Sequence, residues 1–107
     1  MFRHVVMLRF TPESTPADVA AMQARLSKLP SQIPEIRNYV LGEDARVNDG
    51  NYDFVIVADF DNIDDYLVYR DHPDHQAAIS ESIKPILAER IAVQHHIPSD
   101  PRVERQP

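Results

Sequence analysis

The chain has 107 residues, 43% of them apolar, and a formal net charge of −6, which is the composition of a single globular domain. Its 11 lysines and arginines are scattered rather than clustered, so we predict no nucleic-acid partner. The lack of cysteine excludes disulfides and thiolate metal sites, and no apolar run approaches the ~20 residues that span a bilayer. We therefore expect a cytoplasmic protein with no membrane partner.

The first predicted element is a strand over residues 2–10, which is rich in β-branched and aromatic side chains. Its even positions form an apolar face on which His4 is the only polar residue. Its odd positions are apolar in the middle, at Val5 and Met7, and carry an arginine towards each end. Such a strand should be covered by other parts of the protein on both faces.

A helix is predicted next, because Thr15 and Pro16 supply a capping hydroxyl and a proline at the first helical position. Apolar residues at helical spacing extend this helix over residues 16–29, and a loop at 30–34 follows. Residues 35–44 then form a second strand with weaker alternation.

The clearest strand signal covers residues 52–60, which follow a turn containing an Asp-Gly pair. The even positions of this strand are apolar or aromatic. The odd positions place Val55 and Val57 between two aspartates, so this strand also has apolar side chains at the centre of both faces.

Two helices are predicted before the last strand. Asn62 is a candidate cap for a short helix that ends near Arg70, because a residue preceding a proline avoids the helical conformation. Pro73 then begins a second helix that extends to about Lys84. His75 lies on the apolar face of this second helix.

The last predicted strand spans residues 90–97, with His95 on the more apolar of its two faces. Residues 98–107 are rich in proline and charged side chains, which is typical of an extended or disordered tail. The domain proper is therefore expected to occupy residues 1–97.

If the two consecutive helices before the last strand are counted as one helical segment, the order of elements is strand, helix, strand, strand, helix, strand. This order predicts an α+β fold of the ferredoxin-like βαββαβ type, with a four-stranded antiparallel sheet and its helices on one face. The other face would leave Val5, Met7, Val55 and Val57 uncovered. Each such side chain left in water would forgo about 1.5–3 kcal/mol. We therefore predict a homodimer that pairs these sheet faces and closes a barrel.

The candidate site consists of His4, Tyr69 and His75. His4 is expected on the helix-facing side of the first strand and His75 on the sheet-facing side of the last helix, and His95 could converge with them. An imidazole titrates near pH 6.5, so in an apolar cavity it can act as an acid or a base. Tyr69 can add a phenolic donor, and the free N–H groups of the helix that Pro73 begins would favour an anion.

Structural roles for these residues are also open. A histidine in a strand and a tyrosine in a short helix can simply belong to the core, and His72 can cap the helix that Pro73 begins. His72 and His75 could instead bind a metal ion with a third ligand. No acidic or cysteine partner is suitably placed for that role, so we predict neither a metal nor a cofactor.

Three stretches, His4–Phe10, Tyr52–Phe60 and Tyr69–His75, resemble the stress-responsive dimeric α/β-barrel (Dabb) family. The most specific feature is a tyrosine followed by a His-Pro-x-His element, together with a histidine near the N-terminus. The resemblance extends over residues 2–97. It implies a dimeric α+β barrel of ferredoxin-like subunits and a stress-related role.

The resemblance also implies two alternative functions. In the first, the dimer binds a small, partly apolar molecule in a cavity between sheet and helices. In the second, it is a cofactor-free enzyme similar to olivetolic acid cyclase, a plant polyketide cyclase that catalyses an intramolecular aldol condensation. His75 would then remove a proton alpha to a carbonyl, Tyr69 would hydrogen-bond the enolate, and His4 would line the pocket. An acidic residue in the last strand of that cyclase aligns with His95.

Overall fold

A computed structural model describes residues 1–98 and shows one antiparallel sheet with the strand order β2-β3-β1-β4 and helices on one face. The four strands are β1 (Phe2–Phe10), β2 (Asn38–Glu43), β3 (Phe54–Phe60) and β4 (Leu87–His96). The predicted ferredoxin-like fold is confirmed. The predicted tail lies outside the described residues apart from Pro98. Within the described part of the chain, no helix is long and apolar enough to cross a membrane.

The helical segment after β1 consists of two helices, α1 (Pro16–Leu26) and α2 (Leu29–Gln32), where the sequence predicted one longer helix. α1 begins as predicted: the Thr15 hydroxyl accepts a hydrogen bond from the Asp18 N–H at 3.1 Å, and the Asp18 carboxylate accepts one from the Thr15 N–H at 3.0 Å. Pro30 lies in the first turn of α2, where an N–H has no helical partner and its loss costs little.

Four short helical elements link β3 to β4: α3 (Ile63–Asp71), α4 (Pro73–Ala78), a π-helical turn (Ile79–Ile83) and a 3₁₀ turn (Lys84–Ile86). The chain therefore stays helical to the predicted end near Lys84, but its hydrogen bonding changes after Ala78. Pro85 cannot donate a backbone hydrogen bond, so the regular α-helical pattern does not continue through it. β4 begins at Leu87, earlier than predicted.

One hydrophobic core fills the space between the sheet and the helices. β1 and β3 pair with Val6 opposite Ile56, and the even positions of both strands point towards the helices, as predicted. The helical elements contribute the buried side chains of Met22, Leu26, Leu29, Ile33, Tyr69, Ala78 and Ile83. Two of the three buried polar residues in the described part of the chain, His4 and His75, lie on this side of the sheet.

The opposite face of the sheet has no helix on it and is apolar at its centre. Two rows of residues cross the four strands on this open face: Val40, Val57, Val5 and Val93 in one, and Gly42, Val55, Met7 and Ile91 in the other. The more exposed of these side chains are Met7 at 37%, Ile91 at 43%, Val40 at 55% and Val93 at 61%. The prediction that the central valines and Met7 face away from the helices is confirmed.

Ion pairs border this open apolar face at both ends of the strands. The Arg3 guanidinium donates two hydrogen bonds to the Asp59 carboxylate, at 2.8 and 2.9 Å, and the Asn38 amide donates another. Burial alone would raise the pKa of Asp59, but these hydrogen bonds and the charge of Arg3 outweigh it and keep the pKa below its ordinary value. At the other end, Arg9 lies 3.7 Å from Glu89.

Candidate functional site

The helix α3 directs Tyr69 into the core. The Asn62 side chain accepts a hydrogen bond from the Asp65 N–H at 2.9 Å, which fixes the start of this helix. Tyr66 and Tyr69 are three residues apart, so they lie on the same face of the helix and both point towards the sheet. Tyr69 is only 2% exposed.

The break between α3 and α4 positions His75. His72 ends α3 in an extended conformation, as expected for a residue before proline, and Pro73 begins α4. The His72 ring Nδ1 accepts a hydrogen bond from the Asp74 N–H at 3.1 Å, so His72 caps α4. His75 follows on the buried side of α4. No group of three histidine, aspartate or glutamate side chains within residues 1–98 could hold a metal ion.

The hydrogen bond of His75 defines its tautomer. Its Nδ1 lies 3.1 Å from the Arg70 carbonyl oxygen, and because a carbonyl can only accept, Nδ1 carries the proton. The lone pair of the neutral ring is then on Nε2. Burial lowers the pKa of His75, and the positive charge of Arg90 lowers it further, although the Arg70 carbonyl acts in the opposite direction.

His4 has the opposite tautomer. The side-chain nitrogen of Gln94 lies 2.8 Å from His4 Nδ1, and because an amide N–H₂ group can only donate, Nδ1 accepts. Neutral His4 therefore carries its proton on Nε2. Burial, with a smaller effect of Arg90 and then of His75, lowers the pKa of His4 to about 4. The site thus offers one neutral imidazole as a donor and the other as an acceptor.

Tyrosines surround these two imidazoles. The rings of Tyr69 and His75 are tilted by 32° with their centroids 4.0 Å apart, and the centroid of the Tyr66 ring lies 4.9 Å from that of His4. The Tyr69 hydroxyl is 3.2 Å from the Tyr39 hydroxyl. Burial raises the pKa of Tyr39 to about 12 and raises that of Tyr69 as well, so both phenols keep their protons at neutral pH.

His4, Tyr69 and His75 line one cavity of about 240 Å³ between the sheet and the helices. Apolar side chains make up most of the wall: Val6, Leu8, Leu26, Ile56, Ile79, Ile83 and Leu87. Exposed polar side chains at the border are those of Arg70, Gln76, Lys84 and Arg90. The three residues chosen from the sequence are therefore brought together, as a catalytic or ligand-binding role would require.

Two larger hollows, of about 470 and 340 Å³, lie beside the segment 44–53. The first is lined by Met7, Tyr52 and Val55 among others, and so opens on the helix-free side of the sheet. Neither is lined by a histidine of the described residues. We take the smaller cavity as the candidate site because it alone combines apolar walls with buried titratable groups.

The prediction that His95 converges with His4 and His75 is wrong. β4 pairs with β1 so that His95 lies opposite Arg3, on the open face of the sheet. Gln94 lies opposite His4 on the helix-facing side and makes the hydrogen bond to that histidine. The physical reason is that β4 has its more apolar side chains on the open face, so hydrophobicity alone selects the wrong side.

Sequence reasoning also missed Tyr39, Arg90 and Gln94. The signal for Arg90 and Gln94 was their spacing of four residues in a strand, which puts both on one face together with Ala92. Opposite charges on Arg9 and Glu89 could have fixed the register of this strand. Nothing in the weak alternation of β2 distinguished Tyr39 as a partner of Tyr69.

The described part of the chain thus has a ferredoxin-like fold with a histidine- and tyrosine-lined cavity. Its sequence matches the model of the stress responsive A/B barrel (Dabb) domain over residues 2–96, and the protein belongs to this family. The family resemblance predicted from the sequence is confirmed. A comparison with curated proteins finds no match.

Solved structures show the same fold. A dimeric ferredoxin-like protein of unknown function from Thermobifida fusca YX is 46% identical, with 90% of each chain covered and a TM-score of 0.83. Another, from Bacteroides fragilis NCTC 9343, is 23% identical over 90% of this chain and 95% of its own, with a TM-score of 0.74. A hydroxynitrile lyase from Passiflora edulis is 16% identical over 92% of this chain and 94% of its own, with a TM-score of 0.81.

We predict that His4 titrates near a pKa of about 4 and that the pKa of His75 also lies below the ordinary value of 6.5. Unfolded histidines take up protons near pH 6.5, whereas these two stay neutral in the folded protein. Their contribution to the free energy of unfolding is therefore complete above pH 6.5 and should decline as the pH falls towards 4. An NMR titration of the imidazole ring protons measures each pKa.

The substitution Arg90→Gln tests the electrostatic cause of these lowered pKa values, because it removes a cation that lowers both. The pKa of His4 and that of His75 should both rise in this variant. Lys28→Gln removes a charge that does not line the cavity and should leave both pKa values unchanged. A wild-type His4 that titrates near 6.5 would contradict a buried, neutral site.

Proposed function

We propose that the protein is a cytoplasmic homodimer in which each subunit binds a small, partly apolar molecule in the cavity between sheet and helices. The observation that carries this proposal is the cavity itself. This cavity of about 240 Å³ combines apolar walls with the convergent polar groups of His4, Tyr69 and His75, which is the composition of small-molecule sites. It opens at a border of exposed polar side chains, where a ligand could enter.

The two histidine tautomers indicate what the polar part of this ligand must contain. His4 can donate through Nε2–H, and His75 can accept through Nε2. A carbonyl oxygen of the ligand can accept the hydrogen bond from His4, and a hydroxyl of the ligand can donate one to His75. The apolar body of the ligand would contact the side chains of Val6, Ile56 and Ile79. Small aromatic ketones and phenols have this combination of groups.

A homodimer would cover the open apolar face of the sheet. The relative from Thermobifida fusca, with 46% identity, is described as dimeric, and so is the one from Bacteroides fragilis. We place Val5, Met7, Val55 and Val57 at the centre of the dimer interface, because they form the middle of this face. A stress-related role rests only on the description of the family.

A second candidate function is acid/base catalysis without a cofactor. The observation that favours it is the neutral His75, whose Nε2 carries the lone pair and whose ring centroid lies 4.0 Å from that of the protonated Tyr69. His75 Nε2 would take the proton from a carbon alpha to a carbonyl and become an imidazolium, and the electrons of the broken C–H bond would form an enolate. Tyr69 or the His4 Nε2–H would donate a hydrogen bond to the enolate oxygen.

Filling the cavity tests the binding proposal. Ile79→Phe adds volume to the wall of the cavity, so it should weaken binding of 4-hydroxyacetophenone by about tenfold or more, measured by ligand-observed NMR. The control Val68→Phe adds the same kind of ring at an exposed position of α3 that does not line the cavity. Equal binding by wild type and both variants would rule out the cavity as the site.

Placing a charge on the open face tests the dimer. Val57→Glu would bury a carboxylate without a partner at the proposed interface, so the variant should sediment as a monomer at a concentration where wild type is dimeric. The control is Val47→Glu, since Val47 is 81% exposed and lies outside the sheet. A monomeric wild type, or a dimeric Val57→Glu, would contradict the proposed interface.

Exchange of the methyl protons of 4-hydroxyacetophenone with deuterium oxide tests the catalytic candidate. The wild type should accelerate this exchange, and His75→Gln should reduce the acceleration by about 10²–10⁴-fold because the base is gone. Tyr69→Phe should reduce it as well. The control His72→Asn removes a nearby imidazole but keeps a good helix cap. Equal exchange by wild type and His75→Gln would exclude His75 as the base.

A further inference from the structure

Two cations at the border of the cavity have no carboxylate partner. Every other arginine in residues 1–98 forms an ion pair: Arg3, Arg9, Arg25, Arg37, Arg46 and Arg70. The side chains of Lys84 and Arg90 form neither a hydrogen bond nor an ion pair within this part of the chain, yet both residues line the cavity. No aspartate or glutamate of the described residues lines it. In a chain of net charge −6, this local excess of positive charge is unusual.

The strand register places Arg90 on the inner side of the sheet. Arg90 lies opposite Leu8, whose side chain is 1% exposed and points towards the helices. Ala92, two residues on, packs against the same core. Arg90 also acts on the interior of the cavity, because its charge contributes to the lowered pKa of both His4 and His75.

We propose that the ligand of this cavity carries a carboxylate, which Arg90 and Lys84 hold at the border while the apolar body of the ligand enters between sheet and helices. This inference rests on the proposed binding function and adds the chemical class of the ligand. A carboxylate matches the planar fork of a single guanidinium and accepts two parallel hydrogen bonds from it. Lys84 adds a mobile point charge from the 3₁₀ turn.

The volume of the cavity limits the size of the rest of the ligand. This volume of about 240 Å³ is slightly below the ~300–1,000 Å³ of most small-molecule pockets. One aromatic ring with short substituents fits such a space. The cavity is also lined by His4, which can donate through Nε2–H, and by His75, which can accept through Nε2. The expected ligand is therefore a small aromatic or short-chain carboxylic acid with a carbonyl or hydroxyl group remote from its carboxylate.

A structural role explains only part of this arrangement. β4 is an edge strand, and an inward-pointing charge on an edge strand discourages pairing with other chains. That role accounts for Arg90 but not for Lys84, which lies outside the strands. Both cations border the same cavity, which edge protection does not require.

The test compares 4-acetylbenzoate with its neutral amide, 4-acetylbenzamide, as probes of the full chain by isothermal titration calorimetry. The wild type should bind the carboxylate at least about tenfold more tightly than the amide. Arg90→Gln and Lys84→Gln should each weaken carboxylate binding by about tenfold more than they weaken amide binding. Lys28→Gln makes the same charge change away from the cavity and should alter neither. Thermal unfolding of each variant verifies that it is folded.

The outcomes separate this inference from the function on which it rests. If both probes bind equally and the two cavity variants behave like wild type, the cavity binds ligands but the carboxylate anchor is overturned. If neither probe binds and 4-hydroxyacetophenone does not bind either, the binding function itself fails. If phenyl phosphate binds more than about tenfold tighter than the carboxylate, the assignment to a carboxylic acid is overturned.

Discussion

The central constraint on this protein is a sheet with apolar side chains on both faces and helices for only one of them. β1 is paired on both edges, with β3 and β4, so its even side chains enter the core while Val5 and Met7 are left on the open face. The same alternation that puts His4 inside therefore creates an apolar surface outside. The fold and the proposed dimer are two consequences of one pattern, because successive side chains of a strand point to opposite faces of the sheet.

The candidate site depends on keeping two imidazoles uncharged. Burial is the main cause of the low pKa of both histidines, and Arg90 reinforces it. A cation near a proposed base opposes formation of an imidazolium and so weakens that base. The two roles are compatible if Arg90 binds an anionic ligand, because the charge of the bound ligand would offset that of the guanidinium. Binding a carboxylate would then make His75 a stronger base than it is in the empty cavity.

The sequence predicted most of the fold and part of the site. The strong alternation of β1 and β3 gave the correct inner and outer faces, and the His72-Pro73 break gave the correct position of His75. The last strand was misread because its open face is more apolar than its inner face, and the proposed dimer would cover that open face. Its inner side chains, Arg90 and Gln94, belong to the cavity, and hydropathy cannot identify residues whose partner is a ligand or another side chain.

The helices show a similar limit. Capping signals at Thr15 and Asn62 gave the correct starts of α1 and α3, because those hydrogen bonds are local. The division of the first helix at Ser27 and the π-helical turn at Ile79–Ile83 have no equally local signal. The π-helical turn packs against α1, a contact between distant parts of the chain that a single sequence does not display. Side chains from this π-helical turn line the cavity, as π-helical segments often do at functional sites.

Methyl-resolved NMR of the protein during addition of 4-hydroxyacetophenone tests most directly whether the cavity between sheet and helices binds a small molecule. If the cavity between sheet and helices is the binding site, the largest shift changes will occur at the methyl groups of Val6, Ile56 and Ile79 that line it. Changes concentrated at Met7 and Val55 would instead place the ligand in the hollow on the open side of the sheet. That result, with the cavity methyls unmoved, would contradict the account given above.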